Sequence, residues 1–317
     1  MKRLILLFTA ATLLFSVDGF ARNREVSTEI NVGTYNVWGN KQRNTQFRKS
    51  KTIQERLWEN SRDIVAQMIV DADWDIFGVQ EGGSLVRKEL PELVKQKGGK
   101  YEWWFQRPDP SIPENEDTNL ANGMVWRKDR FKVTNKNVFW LSPTPDTPSK
   151  AWEEKVRHWR FVMSANVKDK KTGLEFIFMV THCPLMESTC EKSAHLIIER
   201  EKLLNPDNKV AIFVGDLNSK PHQPFTHIIR NHFTDTRDIA ENKPEAVGTA
   251  NGSMPSMTPP SPYRTIDYIY IRGDKLKYEV KEHKVYLDKY MVGDKLLYPS
   301  DHCPVGAKIT LTKTRNR

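Results

Sequence analysis

Cysteine is scarce in this chain, with three in 317 residues, too few for a disulfide framework. Cys183 and Cys303 each follow a histidine, and Cys190 lies a short loop beyond Cys183. A Cys183–Cys190 pair is sterically allowed in an oxidising compartment. Strand alternation turns Cys183 and Cys303 away from their histidine neighbours, so core packing is the expectation rather than metal ligation. Beyond the first residues there is no long apolar run, hence no expected transmembrane segment. No Gly/Ser linker, internal repeat or composition break divides the chain, so one domain over residues 27–313 is expected. A Gly-x-Ser-x-Gly elbow is missing, and the adjacent Ser300, Asp301 and His302 cannot converge as a triad, which argues against a serine hydrolase.

What is present begins with a leader. Lys2-Arg3 is followed by an apolar run over residues 4–17 and by the small-residue end Gly19-Phe20-Ala21. That pattern reads as a secretory signal peptide over residues 1–21, too short to span a bilayer, and predicts a secreted or periplasmic protein. No cysteine follows the run, which argues against a lipid anchor. The net charge is +9, and removing Lys2, Arg3 and Asp18 with the leader leaves +8. Such a surface favours anionic partners: nucleic acid, phospholipid or phosphorylated metabolites. No compact basic block dominates; the densest stretch is residues 41–62, directly after the first strand pattern.

Apolar alternation predicts a strand over residues 29–37, apolar runs predict buried strands over 75–80 and 210–215, and further strands are expected over 101–106, 123–127, 133–141, 158–168, 175–182, 264–272, 278–287 and 304–311. Helical spacing appears over residues 52–72, 84–97 and 188–204. Residues 107–119 are a Pro-rich acidic loop, and residues 248–262 a Gly/Pro/Ser loop. Many strands with few helices predict two packed sheets with helices on the outer faces.

Several of these strands end in polar clusters where a plain core would place Val or Ile. They are Thr34-Tyr35-Asn36-Val37, Val79-Gln80-Glu81, Val180-Thr181-His182 and Gly215-Asp216-Leu217-Asn218; Ile266-Asp267-Tyr268 and Ser300-Asp301-His302-Cys303-Pro304-Val305 complete the set. Convergent acidic and amide oxygens with two imidazoles make a hard-cation site flanked by acid/base groups. Glu81 and Asn36 are candidate metal ligands, with Asp301 a further one. Asp216 can orient a water and Asn218 can donate to a phosphate oxygen. Asp267 and His302 form a carboxylate–imidazole pair that fixes the tautomer. His182 is a separate imidazole for the leaving oxygen or the charge of the transition state.

This ordered set resembles the endonuclease/exonuclease/phosphatase superfamily over residues 31–311. That group includes deoxyribonuclease I-like nucleases, exonuclease III-like repair enzymes, inositol-polyphosphate phosphatases and neutral sphingomyelinases. Trp140-Leu141-Ser142, Pro148-Ser149-Lys150-Ala151-Trp152 and then Arg157 further resemble bacterial secreted hydrolases of the group. The resemblance implies an α+β fold, a four-layer α/β/β/α sandwich of two mostly antiparallel sheets. It also implies Mg²⁺- or Mn²⁺-dependent phosphoester hydrolysis. By matching motif, Asn36, Glu81 and Asp301 lie at the metal, and Asp216 and Asn218 position nucleophile and phosphate. His182 and the Asp267–His302 pair supply acid/base groups, with Arg157 a candidate phosphate contact. Relatives often continue Thr-His with Asp and His, whereas this chain reads His182-Cys183-Pro184-Leu185. That departure bears on the substrate, which remains a phosphoester of open class, nucleic acid included. The spread of charge favours a small phosphoester or lipid head group over duplex DNA. A monomer is expected.

Overall fold

Period-two alternation decides which face of each strand turns inward. On β7 (Glu175–His182), Phe176, Phe178 and Val180 face one way, and Ile177 and Met179 the other. On β8 (Ala211–Asp216), Ile212 and Val214 oppose Ala211 and Phe213; on β10 (Asp267–Arg272), Ile269 and Ile271 oppose Tyr268 and Tyr270. The first member of each set joins Ile30 and Val32 of β1 (Glu25–Asn36) and Ile309 and Leu311 of β14 (Val305–Thr314) in one core. Each such apolar side chain contributes roughly 1.5–3 kcal/mol by leaving water.

The computed structural model describes residues 25–39, 57–114, 120–152, 159–185, 187–243, 246–251, 259–292 and 294–314. The leader, Arg157 and most of the basic stretch at 41–62 lie outside these residues. One sheet runs β11 (Lys277–Val285), β14, β1, β2 (Ile76–Gly82), β4 (Ala121–Arg127), β3 (Tyr101–Gln106). The other runs β5 (Phe131–Trp140), β6 (Phe161–Asp169), β7, β8, β10, β9 (Thr234–Asp235). Each sheet holds one parallel pair, β1/β2 and β7/β8, and its other pairs are antiparallel.

A parallel pair needs a long crossover. α1 (Trp58–Ala72) and α3 (Glu187–Leu204) lie in those two crossovers. α1 and α2 (Ser84–Gln96) cover the outer face of the first sheet, Val65, Ile69, Val86 and Leu90 meeting Tyr35, Phe77 and Val79. α3 and α4 (Pro224–Arg230) cover the second, with Ile197, Phe225 and Ile229 against Met179 and Phe213. The expected four-layer sandwich is therefore present. The sequence reading omitted α4, the short strand β9, the single-turn α5 (Thr236–Ile239) and a hairpin of β12 (Tyr290–Val292) and β13 (Lys295–Leu297). No helix among the described residues is long and apolar enough to cross a membrane.

Candidate active site

The same alternation that fills the core also delivers the polar groups. Continuing the inward-facing series by two residues leads from Val180 to His182, from Val214 to Asp216 and from Val32 through Thr34 to Asn36; Asp267 precedes Ile269 in the same way. His182, Asp216 and Asp267 sit side by side in register across β7, β8 and β10. Gly215 makes that row feasible. Its φ is +148°, and a Cβ there would lie 2.0 Å from the Thr181 carbonyl oxygen.

The first sheet brings Asn36 of β1, Glu81 of β2 and the Ser300–His302 turn before β14 to face this row. Glu81 sits where the β2–β4 register slips between Val79 and Gly82, and its φ of +58° is left-handed. Bulges and left-handed non-glycine residues are features that re-aim side chains at functional sites. The Ser300 hydroxyl donates to the Asn36 carbonyl at 2.8 Å, and the His302 N–H donates to Ser300 Oγ at 3.2 Å, tying the turn to β1.

Asp216 is the hub. Its Oδ2 lies 3.2 Å from His182 Nε2, 3.0 Å from Asn36 Nδ2 and 3.7 Å from His302 Nε2. Its Oδ1 accepts the Asn218 N–H at 2.9 Å, and Asn218 Nδ2 donates to the Cys183 carbonyl at 2.9 Å. His302 Nδ1 lies 2.8 and 3.1 Å from the two Asp267 oxygens, so the imidazole stands between two carboxylates. Burial opposes charge on His302, but Asp267 and Asp216 outweigh it and hold the imidazole well above its ordinary pKa. Asp216 is raised, chiefly by burial and against the His302 charge.

Glu81 is pushed up to about 7, first by burial and then by Asp301, against His302, Arg160 and the Asn36 amide. A carboxylate so raised beside a second one marks a place short of positive charge, and an oxygen-liganded divalent cation meets that need. The residues present fit such an ion. Asp216, Asp267 and His302 also lie close enough to share a metal. Both Asp267 oxygens are nevertheless engaged by His302, and both Asp216 oxygens already accept hydrogen bonds. The Glu81–Asp301 side is the better cation site. In this geometry the Asn36 amide nitrogen faces Glu81 Oε1 (3.3 Å) and Asp216, while its oxygen accepts the Trp38 N–H at 3.0 Å. The sequence reading had the oxygen facing the metal.

One cation escaped that reading. Arg160 is half-buried just before β6, its charge acts on both Glu81 and Asp216, and its Nε has no hydrogen-bond partner among the described residues. Val162 pairs with Thr181, so Arg160 stands at the level of Cys183, at the site end of the sheet. The sequence carried no periodic signal for it; Arg157, the candidate phosphate contact from sequence, lies outside the described residues. The three cysteines are buried: Cys183 packs in the outer core of the second sheet with Cys190 of α3, and Cys303 packs with Val247, Val285 and Tyr298, the core packing expected of Cys183 and Cys303.

A two-sheet sandwich with acidic, amide and imidazole groups converging from both sheets defines a class of hydrolases. The sequence profile of the Endonuclease/Exonuclease/phosphatase family matches residues 33–302, and the chain belongs to that family. It is accordingly a hydrolase of phosphoester bonds, with a group of side chains able to share a metal at its site. A family member of solved structure from Bacteroides thetaiotaomicron is 25% identical, with a TM-score of 0.76, covering 92% of this chain and 99% of that one. A mannosyl-6-phosphatase of the same organism is 26% identical, with a TM-score of 0.74, covering 88% and 99%. An uncharacterized protein of Acanthamoeba polyphaga mimivirus is 24% identical over 178 residues, 56% of this chain and 65% of that protein. The match thus spans just under two thirds of the viral relative.

Proposed function

We propose that the chain is an exported, monomeric, Mg²⁺- or Mn²⁺-dependent hydrolase of small phosphoesters, with sugar phosphates the favoured class. The observation that carries the chemistry is the under-neutralised Glu81–Asp301 side facing Asp216, His182 and the Asp267–His302 pair across the two sheets. The likeness to a mannosyl-6-phosphatase supports the substrate class, and the leader pattern supports export.

Glu81 and Asp301 would hold the cation, with the Asn36 amide orienting Glu81 through its hydrogen bond. When bound, it supplies positive charge to the phosphoryl oxygens. Asp216 orients the attacking water through the oxygen that Asn36 and His182 already engage. Asp267 fixes the His302 ring so that Nε2 points at the reacting phosphate, where its charge offsets the developing negative charge. His182 hydrogen-bonds the leaving oxygen. Arg160, whose Nε has no hydrogen-bond partner among the described residues, and the Asn218 amide contact the remaining phosphate oxygens.

The test is a screen of the purified mature protein on hexose phosphates, p-nitrophenyl phosphate, bis-p-nitrophenyl phosphate, phospholipids, RNA and plasmid DNA. Each substrate is run with Mg²⁺, with Mn²⁺ and with EDTA. Turnover of sugar phosphates that EDTA abolishes is the expected result. Full rates after exhaustive chelation would overturn the metal requirement, and a strong preference for DNA would overturn the substrate class.

A further inference from the structure

Asp267 and His302 belong to different sheets: one opens β10, and the other precedes β14. Their own hydrogen bond joins them, and one further residue links the two backbones. Thr249 lies in the loop that the sequence reading left without a role, yet it is fully buried. Its Oγ1 accepts the N–H of Ile266 and the N–H of Asp267, each at 3.0 Å. Its carbonyl accepts the Cys303 N–H at 2.6 Å. The neighbouring Ala250 bridges His302, and the Asn251 N–H donates to the Asp301 carbonyl at 2.7 Å.

The loop is itself held from behind. The N–H groups of Thr249 and Ala250 both donate to the Arg264 carbonyl, at 3.2 and 3.0 Å, and the Gly248 N–H donates to the Pro260 carbonyl at 2.9 Å. A Cβ on Gly248 would fall 2.1 Å from the Ser261 carbonyl oxygen, so only glycine permits this approach. Residues 248–251 therefore form a splint wedged between the start of β10 and the turn before β14.

We propose that Thr249 is a positioning residue for the phosphoester hydrolysis argued above, on which this inference rests. It sets the Asp267 carboxylate opposite His302 Nδ1 across the two sheets. The hydroxyl has two acceptor lone pairs, and both are used. Valine has the same shape and neither lone pair, so Thr249→Val would leave two buried N–H donors unpaired and free the Asp267 backbone to shift. Misplacement of a catalytic pair by about 1 Å is costly in rate, even when nothing that touches substrate has changed.

The experiment compares Thr249→Val and Thr249→Ser in the mature protein with Mg²⁺, reading steady-state kinetics and the ¹⁵N-histidine spectrum. The His302 Nδ1–H resonance is assigned by its loss in His302→Gln. Thr249→Val is expected to lower kcat by about 10–100-fold, with KM within about threefold and the resonance shifted or broadened. Thr249→Ser keeps the hydroxyl and should retain both the rate and the resonance. A Thr249→Val enzyme with wild-type kcat and an unshifted resonance would overturn the proposal, as would a Thr249→Ser enzyme equally impaired. A purely structural role would lower the melting temperature and leave kcat and the resonance alone. Should Thr249→Val not fold, Thr249→Ala removes the same oxygen without added bulk. A wild-type protein inactive on every phosphoester would overturn the functional reading instead, and the resonance would then decide the role of Thr249 by itself.

Discussion

At the scale of single residues, one carboxylate carries most of the connections. Asp216 touches Asn36, His182, His302 and Asn218 through two oxygens, so few substitutions there are neutral. Asp216→Ala and His302→Ala are each expected to lower turnover by at least ~100-fold while the protein stays folded, the scale of lost acid/base or electrostatic groups. Effects of tenfold or less at both positions, with unchanged melting temperature, would contradict the assigned roles. Glu81→Ala should instead weaken metal use. Its rate should collapse at low Mg²⁺, and a metal titration showing wild-type affinity would refute its place as a ligand. A different residue controls pH dependence. Burial, then the Arg237 charge, holds the His283 imidazole down at about 3. Its unfolded value is about 6.5, so between the two the unfolded chain binds a proton that the folded one refuses. Stability should therefore fall as pH drops below about 6.5, by roughly 2 kcal/mol at most between pH 7 and pH 5. Urea titrations of the wild type and His283→Gln at those two pH values check this. Equal slopes for the two proteins would remove His283 as the cause.

At the scale of elements, α3 is tied to β10 by a buried charge. Glu201 has no solvent exposure; Arg272 donates to both its oxygens at 2.8 Å, His232 Nε2 lies 2.8 Å away and Asn205 adds a third partner. Removing one member of a buried ion pair costs about 3–5 kcal/mol, because the other is left uncompensated. Glu201→Ala is thus expected to lower stability by that order while sparing the chemistry of a site at the opposite end of β10. A denaturant midpoint within error of wild type would refute the contribution. These elements differ in how plainly the sequence announced them. Strands β7, β8 and β10 read directly, because each is a short apolar run whose polar end breaks it at His182, Asp216 or Asp267. α4 was missed because seven residues make two turns, too few for a 3.6-residue period to stand out, although Pro224 at its start and Phe225, Ile229 and Phe233 carry the signal. The β12–β13 hairpin escaped because its strands hold three residues each and Met291 and Leu296 face solvent. Glu81 was legible as a residue but not in direction, since its aim comes from a register slip. Arg160 and Thr249 follow no periodicity. Pairing between distant segments puts them in place, and that exists only in the folded chain.

At the scale of the whole molecule, the sandwich is clamped by polar groups at both ends. Away from the site, Thr28 of β1 donates to Asp169 of β6 at 2.7 Å, and Arg130 pairs with Asp75 and Asp169, joining the sheets a second time. Export is the first expectation at this scale: protein recovered outside the cytoplasm should begin near Arg22 by mass spectrometry, and an intact Met1 would refute it. Substrate size is the second. A duplex binder neutralises several phosphates, and its affinity falls by orders of magnitude between low and physiological salt. Without the expected leader the net charge of +8 is spread along the sequence, and Glu114-Asn115-Glu116-Asp117 is an acidic stretch of that sequence. Both features argue for a substrate bearing one phosphate group. Release of phosphate from hexose phosphates should accordingly change by less than about threefold between 50 and 200 mM salt, where a protein with several phosphate contacts would lose about 10³-fold or more in affinity. Plasmid nicking at the same enzyme and Mg²⁺ concentration should be slow throughout. Efficient nicking that collapses over that salt range would make a nuclease the better reading of the same site.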